Sequence, residues 1–123
     1  MKFILIVGLV FTSFISSKSA LASNCDSPCQ LTQIKSYFSA LDKVSRKNSS
    51  VKDIDSLLAL THDDIKYVHV EYEANFNKKS WRKAFIRNLD RGAYQNSSKN
   101  EMRVLSSIFG KNHTAIEYSH GLI

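Results

Sequence analysis

The hydrophobic period of this chain changes along its length, and those changes fix which elements it can form. Over residues 31–44 the apolar side chains Leu31, Ile34, Tyr37, Phe38, Leu41 and Val44 fall on one helical face, with Gln33, Lys35, Asp42 and Lys43 on the other. Polar, turn-prone residues 46–50 follow. Ser50 is placed to cap a second, short helix carrying Val51, Ile54, Leu57, Leu58 and Leu60, with Asp53 in its first turn, ending near Thr61 and His62. The period then drops to two. Residues 65–72 are rich in β-branched and aromatic side chains and predict a strand with Ile65, Tyr67, His69 and Glu71 on one face.

Past a polar loop at Asn75, Phe76 and Asn77, Ser80 is placed to cap a third helix that buries Trp81, Ala84, Phe85 and Leu89 and stops at Gly92. Residues 96–100 read as a loop. Residues 102–109 and 113–119 flank Gly110, Lys111 and Asn112 as two paired strands. The order helix, helix, strand, helix, strand, strand implies an α+β fold with helices on one face of a mainly antiparallel sheet.

Not all 123 residues belong to that fold. Residues 3–15 are apolar apart from Gly8, Thr12 and Ser13, behind the positive start Met1-Lys2, and Ala20-Leu21-Ala22 offers an A-x-A cleavage site. The stretch is shorter than the roughly 20 apolar residues of a spanning helix. Residues 1–22 therefore read as a signal peptide, residues 23–30 as an N-terminal segment and residues 31–123 as the folded domain. That domain is exported, periplasmic or secreted, with no stable membrane span in the mature chain. Loss of Lys2 and Lys18 lowers the net charge from +6 to +4. In an oxidising compartment Cys25 and Cys29, spaced C-x3-C with no companion cysteine, favour a local disulfide over a zinc site.

Three stretches carry a family resemblance. They are Ser36-Tyr37-Phe38-Ser39-Ala40-Leu41-Asp42, then Leu57-Leu58-Ala59-Leu60-Thr61-His62-Asp63-Asp64-Ile65-Lys66-Tyr67, then Trp81-Arg82-Lys83-Ala84-Phe85. Together with the element order they make the chain resemble the nuclear transport factor 2-like superfamily, including its SnoaL-like and ketosteroid-isomerase-like branches, over about residues 31–120. The resemblance implies a curved, cone-like sheet whose concave face, lidded by three helices, forms an apolar pocket, often in a homodimer formed through the outer sheet faces. It also implies one or two strands beyond Tyr118. Their absence marks either a reduced version with an open edge or a truncated one.

On that reading Tyr37 stands where the isomerase-like branch places its oxyanion donor, and His69 stands where that branch has an acidic base. Tyr37, Tyr67, His69, Glu71, Trp81 and Phe85 are the expected ligand-binding residues. His69 and Tyr37 are the catalytic candidates for an isomerase or dehydratase, since an imidazole exchanges protons near neutral pH. Against these stand plain packing roles, a hydrogen-bonded sheet histidine and a core tyrosine.

The spacing of His69, Glu71 and His120 specifies no metal, and no cofactor motif is present. The expected ligand is a small apolar molecule. The alternatives are a homo-oligomeric or protein-interaction module and the enzyme. The third helix carries Lys78, Lys79, Arg82, Lys83, Arg87 and Arg91 against Asp90 alone. This is a solvated face or a site for anionic lipid headgroups or an acidic partner. Nucleic acid is not an expected partner, because no groove-reading motif occurs.

Overall fold

A computed structural model describes residues 24–95 and 102–120. The expected leader, the loop at 96–100 and the last three residues lie outside the described residues. The elements are α1 (Ser27–Val44), α2 (Val51–Ala59), β1 (Lys66–His69), β2 (Ala74–Asn77), α3 (Lys78–Asp90), β3 (Met102–Phe109) and β4 (Thr114–His120). The fold is α+β with three helices. The expected order holds, with β2 added as the return strand of β1.

Helix α1 begins four residues before its apolar face does. Asp26 caps it by accepting the Cys29 N–H at 3.0 Å, and Pro28 occupies the first turn, where its missing N–H costs nothing. A disulfide joins Cys25 to Cys29 across this cap, with the α-carbons 5.2 Å apart. So short a loop stabilises by less than the ~3 kcal/mol of a loop of about 15 residues. Helix α2 starts behind Ser50, whose N–H and hydroxyl both donate to the Asp53 carboxylate at 2.9 and 2.8 Å.

Helix α3 starts at Lys78 rather than behind Ser80. Asn77 is the cap, its Oδ1 accepting the Ser80 N–H at 2.9 Å while Ser80 Oγ accepts the Asn77 N–H at 3.0 Å. The reciprocal pair satisfies two backbone donors, which neither residue does alone. The helix ends in a Schellman arrangement. Gly92 takes φ +74° and donates to Leu89 O at 3.0 Å, and Ala93 donates to Asn88 O at 2.9 Å.

Two strand boundaries differ from expectation. The strand read over 65–72 ends at His69, and residues 70–73 form a tight turn closed by Glu73 N–H to Val70 O at 3.2 Å. The segment read as a loop at Asn75, Phe76 and Asn77 is strand β2, pairing antiparallel with β1 in the register Tyr67 with Phe76 and His69 with Ala74. Strands β3 and β4 pair from Met102 and His120 down to Phe109 and Thr114, with a bulge between Val104 and Ser106. Among the described residues the four strands form two separate two-stranded antiparallel sheets, not one continuous sheet.

The core sits between the helices and the first hairpin. Val44, Ile54, Leu57, Leu58, Trp81 and Phe85 are buried together, with Tyr37, Leu41, Tyr67 and Phe76 packed against them. Sheets of two strands are marginal alone, so the helices supply most of what orders each hairpin. The second hairpin is tied to α1 at its turn. Gln30 Nε2 donates to Gly110 O and to Cys25 O, each at 3.0 Å, and Thr114 Oγ1 donates to Gln30 Oε1. Among the described residues no helix is long and apolar enough to cross a membrane.

Candidate functional site, an aromatic face between the hairpins

Alternation along β1 turns Tyr67 and His69 toward the helices and leaves Lys66 and Val68 outside. Tyr67 lies flat on Trp81 of α3, with ring centroids 4.4 Å apart and planes 10° apart, and its cross-strand partner Phe76 of β2 lies 6.3 Å away, stacked at 22°. Helix α1 adds Tyr37, 6.3 Å from Trp81, and Phe38, whose ring meets Tyr118 of β4 at 5.4 Å. An unbroken run of rings thus links both hairpins across α1 and α3. Phe85 lies beneath it, 5.3 Å from Trp81 and buried, so it supports the face from the core.

Three phenols meet on this face from three elements. Burial, then the neighbouring Tyr67 and Tyr118, push the Tyr37 hydroxyl up to about 12. Burial first and Tyr118 second raise Tyr67 as well. Both effects disfavour the phenolate. At neutral pH the two hydroxyls are therefore neutral groups able to donate a hydrogen bond. Tyr118 remains 50% exposed, so the face is open to solvent on the side of the second hairpin.

His69 closes the end of the run. Its ring lies 6.3 Å from Tyr67 and 4.5 Å from Tyr72, and its Nδ1 is buried without a hydrogen-bond partner. The imidazole therefore does not pair through Nδ1 with Glu71 or Tyr37. Glu71 sits in the turn beyond β1 and is exposed. Of the expected ligand-binding residues, the structure brings together Tyr37, Tyr67, His69, Trp81 and Phe85 and sets Glu71 apart. Sequence reasoning did not single out Phe38, Phe76 or Tyr118. Tyr118 carries no local signal, because its partner Phe38 lies 80 residues away in the chain.

Among the described residues no group of three His, Cys, Asp or Glu side chains converges as a metal site. A cleft of about 820 Å³ lies elsewhere, between the end of α2 and the start of α3. Leu58, Ala59 and Ile65 line it beside two ion pairs, Arg82 to Asp55 and Lys78 to Asp63. Asp64, Lys66 and Lys79 line it as well, outside those pairs. The chain matches no protein-family model, no curated protein and no solved structure.

Proposed function

We propose that this chain is an exported domain of the nuclear transport factor 2-like type that holds a small, largely apolar molecule against the aromatic face. One observation carries the reading. Tyr37, Tyr67 and Tyr118 come from α1, β1 and β4, yet they lie close enough for their ionisations to couple, beside a ring stack that solvent still reaches. Apolar walls with a few convergent polar groups are what small-molecule sites offer. In this proposal the two hairpins are the sides of a concave surface, the rings provide the contact area, and the neutral phenols donate to an acceptor atom of the ligand. The His69 ring bounds one end of the face. The element order, with two helices ahead of the first hairpin and one between the hairpins, supports the family reading.

Trp81 is the single tryptophan of the chain and lies in the stack, so its emission reports occupancy directly. Titration with Nile red, an uncharged apolar dye, is expected to quench Trp81 saturably. Tyr67→Ala is expected to weaken that binding at least tenfold. Absence of saturable binding, or equal affinity in the variant, would refute the proposal.

A second reading has its own support. Val68, Leu105 and Ile108 are exposed on the outer sheet faces, and among the described residues each strand is paired along one edge alone. Pairing of two copies through those faces would cover them. Sedimentation equilibrium decides, since a concentration-independent monomer mass rules out the homodimer.

A further inference from the structure

Helix α3 divides its cations into two sets. Lys78 and Arg82 look back toward the body of the protein and are engaged. Lys78 Nζ donates to Thr61 O at 3.0 Å and Asp63 Oδ1 at 2.9 Å, and Arg82 grips Asp55 through two nitrogens at 2.7 and 3.2 Å. Lys79, Lys83, Arg87 and Arg91 are all exposed and form no ion pair among the described residues. Their spacing of four residues places them in a continuous row over about 18 Å of helix. Among the described residues Asp90 is the one acid of α3 itself and the half-buried Ile86 lies beside the row, while Lys79 at its start also lines the cleft that holds Asp55, Asp63 and Asp64.

We propose that this outer row of α3 is a docking surface for the anionic headgroups of a lipid bilayer. Charge complementarity selects the partner. A protein partner would need an apolar centre with anchoring side chains, and this convex face offers only Ile86 at its edge. Nucleic acid is not selected, because no groove-reading motif accompanies the row. A planar leaflet meets only the outermost row and needs no shaped pocket. Attachment through this row is peripheral and electrostatic. The opposite face of α3 carries Trp81 and Phe85 into the core. Docking through the row therefore leaves the aromatic face uncovered.

The test is flotation of the full chain with mixed phosphatidylcholine and phosphatidylserine vesicles at low and high salt. Pure phosphatidylcholine vesicles subtract any contribution of the apolar N-terminal stretch. Each cation near an anionic surface strengthens partitioning roughly fivefold. The fourfold variant Lys79→Gln, Lys83→Gln, Arg87→Gln, Arg91→Gln is thus expected to lose on the order of several hundredfold, as is the native chain in high salt. Variants at the exposed Lys52 and Lys66, which lie off this row, should change partitioning by less than the row variants at equal charge removed. Unaltered circular dichroism shows that the fourfold variant still folds. The proposal is overturned by equal binding to neutral and anionic vesicles. It is also overturned by equal losses in the off-row variants, or by tighter binding to duplex DNA than to anionic vesicles at the same salt.

Discussion

Tyr67 and Trp81 stack face to face at 4.4 Å, joining the first hairpin to α3 at the point where the core meets the aromatic face. Truncating either ring should therefore be felt in both places. Trp81 is almost fully buried, and Trp81→Ala is expected to cost about 3–5 kcal/mol by chemical denaturation. Tyr67→Phe keeps the stacked ring and should cost less than about 1 kcal/mol, whereas Tyr67→Ala also forfeits an aromatic pair of about 0.5–1.5 kcal/mol.

Glu73 holds φ +49° at the end of the β1–β2 turn, a conformation that suits glycine or asparagine better than a side chain with a long stem. Glu73→Asn is expected to raise stability by about 0.5–1 kcal/mol. Gly92, at φ +74° in the cap of α3, predicts the opposite sign, and Gly92→Ala should lower stability by about 1 kcal/mol. Both are read from shifts of the denaturation midpoint at constant slope.

This turn also explains what the sequence concealed. Val70 and Tyr72 continue the β-branched and aromatic pattern of β1, yet they are 86% and 72% exposed because the chain reverses at residues 70–73. A reversal with glutamate in the positive-φ position carries no Gly, Pro or Asn signal. The return strand is hidden for a related reason. Asn75 and Asn77 look like loop residues and are exposed, and of the three residues read as a loop only Phe76, pairing with Tyr67, faces inward. The helices were legible because their apolar faces repeat over several turns. Their first residues were less so, since the caps at Asp26 and Asn77 lie ahead of the apolar pattern. Tyr37, Tyr67, His69 and Trp81 could be picked out by period. Their joining to Tyr118 depends on the second hairpin docking on α1, which no local pattern encodes.

Stability should fall at high pH through Tyr37. Its folded hydroxyl titrates near 12 against an ordinary value of 10. Stabilisation is complete below pH 10 and is lost as pH rises from 10 toward 12, where the unfolded chain ionises first. The loss amounts to about 2 kcal/mol after allowance for partial exposure. Tyr37→Phe should flatten this alkaline limb, and tyrosinate absorbance of the native protein should show late-titrating phenols.

At the acid end the sign reverses. The Ser50 hydroxyl donating to Asp53, with Lys43 also near, holds that carboxyl below its usual range, and Arg82 and Lys78 do the same for Asp55 and Asp63. The stability these groups contribute is present above about pH 4 and is lost as pH falls through their depressed values. Asp53→Asn keeps an acceptor oxygen for Ser50 but removes the charge that faces Lys43 and the α2 N-terminus, and should cost about 0.3–1 kcal/mol at neutral pH. Its difference from the native chain should shrink in acid, as measured by denaturation midpoints across the pH range.

The most direct test of the aromatic face is resonance mapping during a Nile red titration. Saturable shifts of the Trp81 indole N–H and the His69 ring are expected, with one shared binding constant, while the amides of Lys79, Lys83 and Arg87 on the outer row stay in place. An unmoved Trp81 indole at saturating dye, or shifts spread evenly over both faces of α3, would contradict binding at the aromatic face.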